Sequence, residues 1–271
     1  MFEILLLIGL AVFAFALRTF EHPVLRKLGA ITVLAISYLI AWFLTGSHIW
    51  GGLAAAAWFF LPWLDILTRI RHLRLPLDKK LRYRVPPRQD VFPYLDDFTD
   101  DLENEGFEQV EDTGWEWDGV NQFMRIFYHP EKRMQAAICM NNQSNIAFAY
   151  LSISSRSRVG KTYTTWNYPF AYTMKLGPDA IINRVTTADT FPDLLEHHQM
   201  FLIHHCVTID QIKKQSPDHI QEQLQLETRR QIDHNLNAGL ITLSGNGTFR
   251  YSWRGYVFLW LQFLKDMVRL T

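Results

Sequence analysis

The segment from residue 196 to residue 206, EHHQMFLIHHC, concentrates side chains that bind transition metals. It holds four of the chain's ten histidines and one of its two cysteines. Two side chains on one helix bind the same ion when they are three or four residues apart. His197 and His204 are seven residues apart, and so are His198 and His205. That spacing is about 10 Å along a helix, whereas zinc–nitrogen bonds are about 2 Å, so the sequence predicts no metal site within this helix.

The same segment has the apolar periodicity of a packed helix. Pro192 and Asp193 precede it and are residue types that favour a first helical turn. The alternative is a metal site that one of these histidines shares with His219 or His234 from elsewhere in the fold. No metal ligand is therefore assigned. The periodic stripe of this packed helix, whose histidines are expected to be either solvated or in the core, is Phe191, Leu194, Leu195, His198, Phe201, Leu202 and His205.

Two other motifs have the residue types of a chemical site without its full pattern. Gly160, Lys161 and Thr162 match the end of a phosphate-binding loop, but Ser155 stands where that motif needs its first glycine. In GWEWDG, a strand over residues 114–118 would place two carboxylates, Glu116 and Asp118, on one face about 7 Å apart. Paired carboxylates hydrolyse glycosidic bonds, but neighbouring solvent-facing acids give the same pattern.

Three apolar runs at the start of the chain are the elements that position everything else. They cover residues 2–18, 29–46 and 49–67. A membrane span needs about 20 apolar residues, so the second run is long enough and the other two reach that length with their flanks. The sequence predicts a transmembrane region of about three helices over residues 1–67. A cleaved signal peptide is the alternative for the first run, although its start carries Glu3 and no basic residue.

Charge is distributed unevenly along the chain, although the formal net charge is zero. Residues 1–88 carry 11 Lys and Arg against 4 Asp and Glu, whereas residues 89–271 carry 16 against 23. The loop after the first run contains Arg18, Arg26 and Lys27, and the loop after the second contains no Lys or Arg. The positive-inside bias therefore predicts a multi-pass inner-membrane protein whose N-terminus is outside and whose later residues are cytoplasmic.

A basic segment over residues 68–89 follows the third run and predicts a juxtamembrane linker. Anionic headgroups attract each basic charge near a membrane surface by about 1 kcal/mol. Pro76, Pro86 and Pro87 interrupt any helix in this segment. The alternative is that the charges only determine topology. The predicted membrane-surface residues are Arg69, Arg71, Arg74, Lys79, Lys80, Arg82, Arg84 and Arg88.

Residues 90–271 predict a cytoplasmic α+β domain. A helical pattern near its start is followed by six stretches rich in β-forming residues, the last of which is FAYTMKL at 170–176. The short polar linkers between these stretches predict antiparallel hairpins, and hence a meandering antiparallel sheet. Flanking helices are expected near 191–205 and 217–237, and LITLSGNGTFRYS at 240–252 predicts one more hairpin.

Two features of this domain could meet an anionic ligand or a membrane. The linker RSRVGK predicts a basic hairpin tip at which Arg156, Arg158 and Lys161 bind an anion, with a solvated turn as the alternative. The last segment, residues 255–270, is apolar except for one polar stripe. Such a helix packs in the core, on the bilayer surface or against a partner. The polar stripe is Gln262, Lys265, Asp266 and Arg269.

The sequence leads to an expectation about function that depends mainly on the membrane anchor. We predict a membrane-anchored, non-enzymatic binding or assembly subunit that presents a cytoplasmic α+β domain at the inner leaflet. Its expected partners are anionic lipid headgroups and a protein or a second copy of the chain. The net negative charge of residues 89–271 argues against a nucleic-acid partner. No catalytic residue or cofactor is assigned. The alternatives are a membrane-bound hydrolase acting on a lipid or saccharide, with Glu116, Asp118 and the histidines as candidates, and a ligand sensor.

Overall fold

Three long helices open the structure, a computed structural model that describes residues 2–20, 22–143 and 146–270. They are α1 (Phe2–Thr19), α2 (Pro23–Thr45) and α3 (His48–Thr68). All three are long and apolar enough to cross a membrane, which confirms the three predicted apolar helices. Helix α2 begins six residues before its predicted start because His22 caps it and proline occupies its first turn.

The three helices pack in chain order, α1 against α2 and α2 against α3. Glycines allow the close approach: a Cβ atom on Gly51 would lie 2.8 Å from the ring of Tyr38. Interhelical hydrogen bonds join α3 to α2, one from Trp58 Nε1 to Ser37 Oγ at 2.9 Å and one between Tyr38 Oη and His48 Nδ1 at 2.6 Å. Large apolar side chains remain exposed on the outer faces of the bundle, as a lipid-facing surface requires.

A seven-stranded sheet follows, in the order β2-β3-β4-β5-β6-β7-β8. Strands β2 to β7 are antiparallel neighbours, and β8 is parallel to β7. The chain is therefore mixed α/β, with the apolar helices first and a sheet-containing domain after them. The strands are β2 (Arg82–Tyr83), β3 (Glu108–Trp117), β4 (Val120–His129), β5 (Met134–Gln143), β6 (Ile146–Arg156), β7 (Thr162–Trp166) and β8 (Ala180–Arg184). The predicted turn at NNQS includes Ser144, which lies outside the described residues.

Helices cover both faces of this sheet. Helices α4 (Leu95–Asn104) and α5 (Phe191–His204) pack on one face, where Phe127 and Ile138 are fully buried. Alternate side chains on the same strands point to the other face, where Ile126 packs against Ile220 of α6 (Ile220–Asn237). The sheet is thus the central layer between two helical layers.

A second, smaller sheet lies beside the end of α3. Its order is β1-β10-β9, formed by β1 (Leu75–Pro76), β10 (Thr248–Tyr251) and β9 (Ile241–Leu243). The β9–β10 hairpin confirms the hairpin predicted at 240–252, and three positive-φ residues at 245–247 form its tip. The last helix, α7 (Trp253–Leu270), follows directly and packs against α2 and α3.

One predicted strand is wrong. Residues 170–176 form no strand, and the seventh strand of the large sheet is β8, in parallel pairing. The backbone of this segment forms hydrogen bonds with side chains of other elements. It does not pair with a neighbouring strand. Asn235 bonds both the N–H and the carbonyl of Lys175, and Tyr251 donates to the carbonyl of Thr173. These contacts come from residues 60 or more positions away, so local β-propensity does not reveal them.

Candidate functional site

The end of α3 is built into the hydrophobic core of the small sheet. Ile66 of α3 is fully buried, together with Ile241, Phe249 and Leu259. The cluster, here called the junction core, also contains Ile232 and Tyr251. A residue of this long apolar helix with no exposed surface shows that α3 and the domain share one core. The domain is therefore fixed to the helical bundle and does not hang from it on a free tether.

Three tryptophans extend the junction core towards the bundle. The ring of Trp63 lies 5.8 Å from that of Trp253 and 6.2 Å from that of Trp260. Trp260 donates its Nε1 hydrogen to the backbone carbonyl of Phe59 at 2.7 Å. Aromatic pairs of this kind contribute about 0.5–1.5 kcal/mol beyond their buried area. Helix α7 is consequently held along the last turns of α3.

A buried ion pair holds the other end of α7. Asp266 lies 3.3 Å from the guanidinium of Arg184 on β8, and both side chains are almost completely buried. Its carboxylate also accepts the backbone N–H of Ala171. Asp266 belongs to the polar stripe described above; its neighbour Lys265 is exposed, whereas Asp266 is buried in the ion pair. The side chain of Arg269, the last member of that stripe, lies outside the described residues.

The predicted linker is not a free connection, because both sheets include part of it. Here residues 69–88 are called the basic strap. β1 of the strap pairs with β10, and Leu77 N–H donates to the carbonyl of Gly247 at 2.9 Å. β2 of the strap pairs with β3, the second strand of the large sheet. Pro76 is tolerated because β1 is the edge strand of its sheet.

Four charges of the basic strap have partners within the protein, one of them Arg69, which lies 3.5 Å from Asp65 although its side chain is exposed. Arg84 forms an ion pair with Glu116 at 2.9 Å. The ammonium of Lys79 lies 4.4 Å from the centre of the Trp115 ring, and burial lowers the pKa of Lys79 to about 8. Arg74 donates to the carbonyls of Arg71 and Leu73. The five basic side chains that remain exposed are Arg69, Arg71, Lys80, Arg82 and Arg88.

The predicted basic hairpin tip is divided between surface and interior. Arg158 and Lys161 are exposed at the turn between β6 and β7. Arg156 is buried, and its guanidinium binds both carboxylate oxygens of Glu227 at 2.6 and 2.9 Å. It also donates to Gln135 at 2.7 Å. This arginine connects the sheet to α6 and does not face solvent.

The histidine-rich segment forms α5, with Thr190 as its N-cap. His198 is fully buried, and its ring nitrogens lie 2.9 Å from Ser155 Oγ and 2.9 Å from Thr165 Oγ1. Burial lowers the pKa of His198 to about 3, so the ring is neutral and polar groups satisfy it on both sides. His205, the other histidine of the stripe, is exposed. Among the described residues, no three His, Cys, Asp or Glu side chains come together as metal ligands.

The strand over residues 114–118 that the paired-carboxylate alternative at GWEWDG requires does not form. Strand β3 ends at Trp117, and Asp118 and Gly119 form the two-residue turn into β4 with φ of 48° and 76°. This Asp-Gly pair is typical of a tight hairpin, so Asp118 does not continue the strand face of Glu116. Glu116 instead pairs with Arg84 of the basic strap.

The residues that build the junction were missed by sequence reasoning. Ile66 and Trp63 have the composition of a membrane span, and nothing local marks them as domain core. Trp260 and Asp266 were recognised only as parts of an amphipathic helix. Outside the junction, the Asp-Gly pair at 118–119 is a local sequence signal that predicts the tight turn between β3 and β4. Comparison of the chain with models of protein families, with curated proteins and with solved structures finds no match.

Proposed function

We propose that this protein is a membrane-anchored, non-enzymatic binding or assembly subunit whose α+β domain lies at the cytoplasmic face of the inner membrane. The observation that carries this proposal is the junction core, in which Ile66 of α3 is buried among residues of the domain. A domain fixed in this way keeps one orientation relative to the membrane. A fixed orientation suits a subunit that positions a partner at the bilayer surface.

The side of the membrane is proposed from charge. The basic strap begins directly after α3, and positive charges of this kind are retained in the cytoplasm. Five of its basic side chains are exposed, and four of these, all except the Asp65-paired Arg69, are available to anionic headgroups. Since each contributes about 1 kcal/mol near an anionic surface, the strap adds up to about 4 kcal/mol of lipid attraction.

The face of α5 that points away from the large sheet is proposed as the surface for a protein partner or a second copy. Met200 and Ile203 are 60% and 66% exposed there, and Ile209 is 47% exposed beside them. Leu202, Val207 and Ile212 line an open apolar groove at the same place. Exposed apolar surface of this kind marks interaction sites on soluble domains.

The proposed function is tested by photo-crosslinking in intact cells. A benzophenone amino acid replaces Ile203 in one variant and Glu222, an exposed polar position on α6, in the control. The proposal expects a discrete adduct at position 203 that is absent at 222 and is lost when Met200→Lys is added. An adduct of twice the chain mass identifies a second copy. Absence of any discrete adduct at position 203 contradicts a binding function for this face.

The contribution of the strap is tested with Arg71→Gln/Lys80→Gln, since both side chains are exposed. Removing two charges costs about 2 kcal/mol of attraction, or about 30-fold in affinity for anionic lipid. The ratio of anionic to zwitterionic lipid that copurifies in mild detergent should fall. The matched control, Lys213→Gln/Lys214→Gln, removes two exposed charges outside the strap and the hairpin tip and should leave the ratio unchanged. Equal ratios in all three proteins would show that the strap does not bind anionic lipid.

A further inference from the structure

Two buried donors on neighbouring strands of the large sheet have no hydrogen-bond acceptor among the described residues. They are Nε1 of Trp166, at the end of β7, and Nε of Arg184, at the end of β8. The two residues are register partners in the parallel pair of strands, so their side chains lie side by side on one face of the sheet. Buried donors in folded proteins almost always have an acceptor. Two adjacent exceptions therefore point to a group that both of them bind.

The other donors of Arg184 hold its guanidinium in place. One terminal nitrogen lies 3.3 Å from Asp266, and the other donates to the carbonyl of Pro169. The arginine side chain is 8% exposed. Because the Asp266 carboxylate already neutralises the guanidinium, a group that binds Nε needs no negative charge of its own.

Aromatic rings adjoin the indole of Trp166. Its ring centre lies 5.5 Å from that of Tyr168, 6.0 Å from that of Tyr172 and 6.3 Å from that of Tyr150. The ring of Tyr168 also lies 5.9 Å from that of Phe170, which is 41% exposed. The aromatic cluster thus extends from the two buried donors to the surface of the domain.

The loop that carries part of this cluster joins two parallel strands. Such crossovers usually contain a helix, but residues 167–179, between β7 and β8, form no helix or strand. Three distant side chains bond the backbone of this loop, namely Asp266 of α7, Asn235 of α6 and Tyr251 of β10. An irregular loop of this length that is held in one conformation is typical of a binding loop.

The two donors indicate the chemistry of the ligand. Neighbouring strands are about 4.8 Å apart, and one oxygen about 2.9 Å from each of two nitrogens bridges such a separation. A carbonyl oxygen has two lone pairs and no hydrogen, so it accepts from both donors and leaves no new donor unpaired. A water or a hydroxyl brings hydrogens that need acceptors of their own beside aromatic rings.

We propose that Trp166 and Arg184 bind the carbonyl oxygen of a neutral small molecule, whose flat apolar body packs against the neighbouring tyrosine rings. Flat rings pack against aromatic side chains in offset or edge-to-face arrangements, which suits the tilted rings of this cluster. The inference goes beyond the proposed function and does not depend on the side of the membrane on which the domain lies.

The test follows the indole N–H signals of the intact protein in mild detergent by NMR, with isotope-labelled tryptophan. The probes are duroquinone, a flat tetramethyl ring with two carbonyl oxygens, and durene, the same tetramethyl ring without oxygens. Trp166→Phe identifies the Trp166 signal. Duroquinone is expected to move this signal downfield in a saturable way, because an N–H···O bond forms, whereas durene should leave it in place. The indole of Trp115, which already donates to Gln122, should move with neither probe.

A second measurement removes one of the two donors. Trp166→Phe keeps a ring but loses the N–H group, so duroquinone should bind about five- to tenfold more weakly in equilibrium dialysis, which is the effect of one neutral hydrogen bond. The matched control, Trp115→Phe, should bind duroquinone as the unchanged protein does. Near-ultraviolet circular dichroism checks that each variant is folded.

Three outcomes would overturn the inference. If neither probe moves the Trp166 signal, the two donors bind no carbonyl compound. Equal movement with both probes would show contact with a ring and no bond to a carbonyl oxygen. Unchanged affinity of folded Trp166→Phe would remove this indole from the site. The comparison of the two probes uses the unchanged protein, so it remains decisive if Trp166→Phe does not fold.

Discussion

Replacing Asp266 with asparagine removes the charge that neutralises Arg184 inside the domain. The two side chains are 11% and 8% exposed. An arginine that stays buried without its counter-charge costs about 3–5 kcal/mol of stability. Arg184 keeps its hydrogen bond to the carbonyl of Pro169, so we expect a loss of about 3 kcal/mol, at the lower end of that range. The loss should appear in the free energy of unfolding of the domain.

The assay is thermal unfolding of the intact protein in mild detergent, followed by near-ultraviolet circular dichroism. For a domain of this size, 1 kcal/mol corresponds to about 2–4 °C, so Asp266→Asn should lower the Tm by about 6–12 °C. The matched control is Asp78→Asn, because Asp78 is 73% exposed and pairs with Arg229 at 3.6 Å. Exposed pairs contribute less than about 1 kcal/mol. Equal Tm values for the two variants would refute the reasoning.

A double substitution separates the lost ion pair from other effects at position 266. Arg184→Met/Asp266→Asn leaves no unpaired buried charge. It should therefore unfold at a higher temperature than Asp266→Asn alone. A double variant that is less stable than the single one would show that the charge of Arg184 is not what destabilises the domain.

Three further predictions concern single side chains. Because burial lowers the pKa of His198 to about 3, the unfolded chain binds a proton below pH ~6.5 that the folded state excludes. The contribution of this histidine to the free energy of unfolding should thus be complete above pH ~6.5 and fall by up to about 1.4 kcal/mol per pH unit towards pH ~3. In urea unfolding at several pH values, the free energy of unfolding of His198→Gln should fall less steeply with pH than that of the unchanged protein. Burial raises the pKa of Cys139 to about 12 while Cys206 is exposed, so maleimide should add one label to the folded protein, and two labels by mass spectrometry would contradict this. Trp260→Phe keeps a ring but loses the bond to Phe59, so it should cost about 1 kcal/mol in urea unfolding, and an unchanged midpoint would argue against that bond.

Features that depend on local pattern were predictable from the sequence. The three apolar helices, the strands from 107 to 166 and the hairpin at 240–252 each follow from hydrophobic periodicity and turn residues. The packed stripe of α5 was predicted for the same reason. The inner part of that stripe is buried because it faces the large sheet.

Features that depend on distant partners were not predictable. Ile66 resembles any residue of an apolar span until the junction core is assembled around it. The two strands of the basic strap contain only two residues each, and they exist because β10 and β3 offer free edges. Arg156 was assigned to a surface turn because Glu227, its partner, is 71 residues away. Such pairings are properties of the folded chain and leave no periodic signal.

The most direct test of the proposed anchor uses the exposed cysteine of the domain. Cys206 is treated with a membrane-impermeant maleimide in sealed cells, and Ser47→Cys, in the α2–α3 turn of a Cys206→Ser background, serves as the control for the outer side. We predict that Cys206 is labelled only after the membrane is permeabilised, whereas position 47 is labelled in intact cells. Labelling of Cys206 in intact cells would contradict the cytoplasmic placement of the domain.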